Sequence, residues 1–180
     1  MKKPVLLLVF LTVLGGALTL PVLADSNSVS VSVTPMVVAV NVNPTSIDYG
    51  SLALSAADDA RSTAVSPQIG VFNTGSVIAD FKVRGSNATP SIGGQTTWTL
   101  DCTGTTGVVG ANKYALRFST ANPADFIGGG DTLCPSSDKT LATSAAVGGE
   151  TDVKFQMNMP TGSTGYSSRS STITVIATAH

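Results

Sequence analysis

Valine alternates with a small hydroxyl residue along the segment 28–34, which reads SVSVSVT. In an extended chain this pattern places the valines on one face and the hydroxyls on the other, as in a half-buried β-strand. Pro35 separates the segment from a second strand-like stretch, 36–43. A strand at the end of a domain completes either its own sheet or the sheet of a neighbour. We therefore treat the segment as a candidate donor strand, with Pro35 as its hinge and with apolar side chains from Val29, Val31 and Val33.

The same alternation recurs along the rest of the chain, with Gly, Pro and Asn turn signals between the apolar stretches. Further strands are predicted over 69–72, 77–84, 97–102, 114–119, 139–142, 152–159 and 171–179. The turn at 73–76 predicts that the first two of these pair as a hairpin. Roughly eight short strands and no helical stretch indicate an all-β protein. The predicted fold is a single antiparallel β-sandwich, Ig-like or jelly-roll-like, with an N-terminal strand extension.

The first 24 residues have the organisation of a secretory signal peptide. Lys2 and Lys3 precede an apolar stretch, 5–20, and the small side chain of Ala24 closes the segment. This pattern predicts cleavage after Ala24, whereas an uncleaved membrane anchor is the alternative. The predicted divisions are a signal peptide at 1–24, a strand extension at 25–36 and a sandwich domain at 37–180. The protein is therefore expected to be secreted, in an extracellular or cell-surface location.

Composition supports an exported β-protein. Charged residues make up only 12% of the chain, and the formal net charge is −1 before Lys2 and Lys3 are removed. A sparsely charged, weakly acidic surface argues against nucleic acid as a partner. Cys102 and Cys134 are the only cysteines, and in an exported chain they most simply form one disulfide. Trp98 is predicted to face the core on the same strand face as Cys102, with an exposed ligand-stacking role as the alternative.

Candidate catalytic and metal-binding residues are few. His180 is the only histidine and the last residue, which argues against Ser–His–Asp, Cys–His and multi-histidine sites. The aspartates alternate outward on the predicted strands, and those at 125, 131 and 138 lack the spacing of a calcium loop. The sequence therefore predicts a protein that is not an enzyme and that has no metal or cofactor. Asn87 opens the only N-x-S/T sequon and is a candidate glycosylation site.

Four motifs resemble those of secreted Ig-like domains of prokaryotic surface proteins. They are PTSIDYG at 44–50, NTG at 73–75, WTL at 98–100 and ITVIATA at 173–179. More loosely, the chain is similar to matrix-fibre subunits of the TasA kind and to archaeal bundling-pilus subunits. This resemblance implies an Ig-like or jelly-roll sandwich whose subunits join when the N-terminal strand of one enters the next.

Two hypotheses follow for the function. In the first, the protein is a structural subunit of an extracellular filament, pilus or matrix fibre that polymerises head to tail by donating its N-terminal strand. In the second, it is a monomeric binding module or adhesin. This module would use the loops at 85–94 and 121–137 against glycans or other surface proteins, because loops on a rigid sandwich commonly carry recognition.

Overall fold

The computed structural model describes residues 30, 32–55, 63–103, 109–120 and 131–180. Residues Pro35–His180 form one compact unit. Within the described ranges the chain forms strands and no helix, so none of them offers a helix that could cross a membrane. The strands are β1 (Val40–Asn43), β2 (Thr63–Val65), β3 (Ile69–Asn73), β4 (Ala79–Gly85), β5 (Thr89–Pro90), β6 (Thr99–Leu100), β7 (Lys113–Ser119), β8 (Asp131–Thr132), β9 (Lys139–Ala145), β10 (Glu150–Asn158), β11 (Arg169–Ser170) and β12 (Ile173–Ala179).

The larger sheet has the strand order β1-β3-β10-β7-β6, with β2 also paired to β10 and β8 to β7. All of its pairs are antiparallel except β6 with β7. The smaller sheet has the order β12-β4-β9 and is antiparallel throughout. A two-stranded ribbon, β11-β5, completes the described part of the fold.

The two sheets enclose one hydrophobic core. Val71 of β3 and Phe155 of β10 lie in the same buried cluster as Phe81 and Val83 of β4. The alternation predicted along 77–84 is confirmed, because Ala79, Phe81 and Val83 are fully buried while the residues between them are not. The all-β class is therefore confirmed, and strands of both sheets contribute to this core.

Strand β10 spans two shorter neighbours on one side. Its first half pairs with β3 and its second half with β2. Ser66 joins these neighbours: its N–H donates to the Phe155 carbonyl (2.8 Å), and its Oγ accepts from the Phe155 N–H (2.9 Å). The hydroxyl oxygen thus takes the place of a backbone carbonyl as acceptor where the partner of β10 changes from β3 to β2. Strand β2, which was not among the predicted strands, is thus tied to the sheet.

The predicted hairpin at 69–84 is wrong, because β3 and β4 belong to different sheets. The reason lies in the buried side chain of Asn73. Its Nδ2 donates to the carbonyls of Val77 (2.8 Å) and Ala145 (2.9 Å), while its Oδ1 accepts from the Gly75 N–H (3.0 Å). These bonds hold the connecting segment as an arch between the sheets instead of a tight turn.

Two further differences concern strand length and burial. The predicted strand at 36–43 begins only at Val40. The predicted half-buried strand at 114–119 is β7, in which every residue from Tyr114 to Phe118 is buried. Alternation alone cannot show that the second face of the strand, which includes the polar residue Arg117, is buried as well.

Candidate functional site

The N-terminal pole of the domain is formed by residues 36–40, 73–78 and 145–149. Thr74 and Ser76 donate their N–H groups to the carbonyls of Ala39 (3.1 Å) and Val37 (2.8 Å). In return, the Val37 N–H donates to Ser76 Oγ (2.9 Å). The chain before β1 is therefore held to the arch between the sheets, although it forms no strand of its own.

Gly75 allows this close approach. A Cβ at this position would lie 2.4 Å from the Val37 carbonyl oxygen and 2.9 Å from the Ala39 nitrogen, both of which are backbone atoms. Backbone atoms cannot rotate away as a flexible side chain can. Glycine is therefore required here for packing of the chain entrance against the arch.

Gly75→Ala is expected to lower the free energy of unfolding by roughly 1–3 kcal/mol, because the added methyl group must displace backbone. Urea unfolding measures the change. Gly93→Ala is the matched control, since a Cβ there meets nothing within 4 Å, and it should shift the value by less than about 0.5 kcal/mol. Equal effects of the two substitutions would contradict the role of Gly75.

Apolar side chains are unusually exposed around the entrance to β1. The exposed fractions are 72% for Met36, 49% for Val37 and 39% for Val38. Single exposed apolar residues are common, but three in succession indicate an interaction surface. On the outer face nearby, a shallow depression of about 680 Å³ is lined by residues that include Phe72 and Val147.

Strands β1 and β12 lie beside each other at one side of the domain. In the described part of the chain, β1 pairs only with β3 and β12 pairs only with β4. Five apolar residues of these strands contact the core yet remain half-buried, and we call them the β1/β12 seam. They are Val40, Val42, Ile173, Val175 and Ala177.

The opposite end of β4 leads to a second pole, the loop pole, formed by residues 85–98 and 162–170. Trp98 is buried there, which confirms its predicted core position. Its Nε1 donates to Ser163 Oγ (3.0 Å), and the Arg169 guanidinium lies 4.3 Å from the ring centroid. Arg169 also donates to the Ser167 carbonyl (2.9 Å), and its desolvation lowers the pKa of the guanidinium below its ordinary value.

The two segments of the loop pole are joined to each other. Strands β5 and β11 pair, the Ser91 N–H donates to the Ser168 carbonyl (2.9 Å), and their hydroxyls lie 2.8 Å apart. This support leaves Tyr166 85% exposed and Ile92 59% exposed. The loop pole thus exposes one aromatic and one aliphatic side chain on loops that are fixed by hydrogen bonds to each other.

The two cysteines lie at a distance suited to a disulfide, with their Cα atoms 5.2 Å apart. The pair connects the chain just after β6 to the chain just after β8. Cys134 is buried, but Cys102 is exposed, so the prediction that Cys102 faces inward with Trp98 is wrong. Strand β6 ends at Leu100, and Asp101 then turns the chain by accepting the Thr103 N–H (2.9 Å).

The other predicted site residues are dispersed. Val29, Val31 and the loop 121–130 lie outside the described residues, whereas Pro35 is exposed and lies outside any strand. Asn87 is exposed, and its Oδ1 accepts the Leu100 N–H (3.0 Å). In the ranges that the structure describes, no three His, Cys, Asp or Glu side chains are grouped so that they could hold a metal ion.

The sequence did not predict a cluster at one end of the small sheet, where β4 begins and where β9 and β12 end. His180 Nδ1 lies 2.9 Å from Asp80 Oδ1, and Ser144 Oγ lies 3.0 Å from Nε2 and 3.5 Å from Nδ1 of the same ring. The hydroxyl therefore lies over the imidazole and not in line with the lone pair of either nitrogen, so the cluster is not arranged as a Ser–His–Asp triad. The full-length pairing of β12 with β4, which the sequence does not give, brings His180 to Asp80.

No known protein-family model matches this chain, and no curated protein sequence matches it.

Proposed function

We propose that this protein is a secreted structural subunit that assembles head to tail into an extracellular filament, pilus or matrix fibre. The segment 28–34 is the donated strand and Pro35 is its hinge. The domain that receives it is a sandwich of the Ig-like or jelly-roll type. The observation that carries the proposal is the run of exposed apolar side chains from Met36 to Val38, at the start of the compact domain. Such a surface is costly for an isolated soluble domain and favourable once a neighbour covers it.

The acceptor in this proposal is the β1/β12 seam of the next subunit. Inward-facing Val40 and Val175 remain half-buried there, so an added strand would complete the cover of the core. The outer edges of β1 and β12 would supply main-chain donors and acceptors to the incoming strand. Main-chain bonds give such a joint its strength, and alternate side chains give it its register.

The donated segment suits this acceptor in length, period and charge. Segment 28–34 has seven residues, as does β12. Three valines at period two in the donor correspond to the period of Ile173, Val175 and Ala177 in the acceptor. The donor has no charged side chain, so insertion buries no unpaired charge. Because the donor segment and the acceptor seam are different parts of each subunit, a joint of this kind is heterologous and repeats into an open chain of subunits.

Negative-stain electron microscopy of residues 25–180, purified under oxidising conditions at several concentrations, tests the proposal. Regular filaments are expected, and deletion of residues 25–35 should abolish them because the donor is removed. Replacing Val29, Val31 and Val33 together by Ser should have the same result. The matched control replaces Ser28, Ser30 and Ser32 by Thr, which keeps the valine face and should leave filaments intact. Filaments formed equally well by the deletion variant would exclude strand donation.

A second candidate function is a monomeric binding module, which the exposed Tyr166 and Ile92 at the loop pole favour. Aromatic and aliphatic side chains on supported loops can bind glycans or protein surfaces. The same microscopy separates the two candidates. Monodisperse particles at every concentration would disfavour the filament and direct attention to the loop pole.

A further inference from the structure

The outer face of the larger sheet carries two rows of residues that the filament proposal does not use. In the register of β1, β3 and β10, Asn41 lies opposite Phe72, and Phe72 lies opposite Glu150. In the next row, Asn43 lies opposite Gly70. Because alternate residues of a strand share a face, both rows project to the same side of the sheet, away from the core.

Gly70 determines how the side chain of Phe72 lies. A Cβ at Gly70 would be 2.7 Å from Cε2 and 2.8 Å from Cζ of Phe72, so the ring occupies the space that a side chain at position 70 would fill. The Phe72 side chain therefore lies along the strand over Gly70 instead of standing upright from the sheet. It is half-buried and lines the shallow depression of about 680 Å³. Phe72 thus provides an apolar platform that a ligand can reach from solvent.

Amide and hydroxyl groups surround this platform. Asn41, Asn43 and Thr45 line the depression, and all three are exposed. Each amide has two N–H donors and a carbonyl acceptor, and the threonine hydroxyl both donates and accepts. Val147 and Gly148, from the turn before β10, also line the depression. Among the described residues that line it, none is charged.

We propose that this depression binds one hexose unit of a neutral polysaccharide, with the sugar ring against Phe72 and its hydroxyls on Asn41, Asn43 and Thr45. A pyranose ring has a face of C–H groups, which packs on an aromatic ring, and a rim of hydroxyls that both donate and accept. An apolar platform bordered by amides matches both features. The volume is in the range of sites that hold small ligands, and the shallow shape allows the polysaccharide to continue in both directions.

Charge beside the depression selects a neutral ligand. The exposed carboxylates of Glu150 and Asp152 lie on β10, on the other side of β3 from the two amides. Lys154 is the next outward residue of β10 and lies one row farther from Phe72, so the nearest charges are negative. These carboxylates repel a uronic acid or a sulfated sugar, whereas a neutral hexose meets no such cost.

Isothermal titration calorimetry of the exported protein with three soluble neutral polysaccharides, laminarin, dextran and galactomannan, tests the proposal. Binding to at least one is expected. Phe72→Ala should weaken it by about 10-fold or more, because the platform is lost. Asn41→Ala and Asn43→Ala should each weaken it by roughly 3- to 10-fold, the scale of one lost hydrogen bond. Both amides are exposed, so these two variants test the site even if Phe72→Ala does not fold.

Two further variants separate this site from the loop pole. Phe72→Trp keeps an aromatic platform, so it should bind as the unchanged protein does, and its fluorescence should change when the polysaccharide is added. Tyr166→Ala is the matched control at the loop pole and should bind as tightly as the unchanged protein. Loss of binding in Tyr166→Ala but not in Phe72→Ala would place the contact at the loops and overturn the proposal.

The acidic polysaccharide alginate should bind at least about 10-fold more weakly than the neutral one, because of the two carboxylates. Equal binding of alginate, or no binding of any of the three neutral polysaccharides, would also overturn the proposal. The variant that lacks residues 25–35 retains every described residue of the depression. It should therefore bind the same polysaccharide, which keeps this test separate from that of filament formation.

Discussion

Reduction of the Cys102–Cys134 pair is expected to lower the free energy of unfolding by about 3–4 kcal/mol. The cysteines are 32 positions apart in sequence, and their bond restricts the unfolded chain over that loop. In the folded protein, Cys134 is already held in place, since its carbonyl accepts the Gly85 N–H (3.3 Å) and Leu133 beside it is fully buried. Removing the bond therefore relaxes mainly the unfolded state.

Urea unfolding with and without a thiol reductant measures this change. A double variant, Cys102→Ala with Cys134→Ala, should match the reduced protein and should not respond to the reductant. The slope of the free energy against urea should rise modestly after reduction, because an unlinked unfolded chain exposes more surface. An unchanged midpoint after verified reduction would show that the loop closed by the pair contributes little.

Stability is also expected to fall steeply above pH 10. Burial raises the pKa of the Tyr114 phenol to about 12, and burial together with the nearby Tyr114 raises the pKa of Tyr49 as well. A pKa that is higher in the folded state means that the neutral phenol is favoured there. The contribution is therefore fully present below pH 10, where both states are neutral, and is lost as the pH rises to 12 and beyond. For Tyr114 this amounts to about 3 kcal/mol.

Unfolding curves from pH 8 to pH 12 test this dependence. Tyr114→Phe removes one titrating group, so its stability should fall less between pH 10 and pH 12 than that of the unchanged protein. At pH 8 the same variant should be destabilised by about 1 kcal/mol, because the Ser86 carbonyl loses the hydrogen bond from the Tyr114 hydroxyl. Tyr166→Phe, which removes an exposed phenol, is the control. A stability that stays flat to pH 12 would contradict the role of buried phenols.

The sequence predicted the strands whose two faces differ in environment. Strand β4 is the clearest case, since its Phe81 and Val83 are fully buried while Arg84 of the same strand is exposed. Strand β7 was harder to predict, because both of its faces are buried. Its alternation of apolar with polar residues therefore does not show which side chains are exposed. The pairing of β3 with β10 instead of β4 depends on Asn73, whose hydrogen bonds reach across 72 positions to Ala145.

The candidate sites show the same limit. The candidate donor segment was predicted from its local period alone, and the cysteine pair was predicted because the sequence has only two cysteines. The β1/β12 seam required the order of strands in both sheets. The Ser144 cluster required the register of three strands and a bulge of one residue, and neither follows from local patterning. The only local feature of the Ser144 cluster that the sequence offered was Asp80, on the outward face of the predicted strand at 77–84.

The fluorescence of Trp98 can report on one end of the domain. This residue is the only tryptophan in the sequence, it is 8% exposed, and it lies under the Arg169 guanidinium at the loop pole. The seven residues of β4 separate that pole from Pro35 by about 20 Å. Its fluorescence therefore senses events at the loops and is insensitive to events at the chain entrance. A spectral shift on mixing with a glycan or a surface protein would therefore locate the contact at the loops.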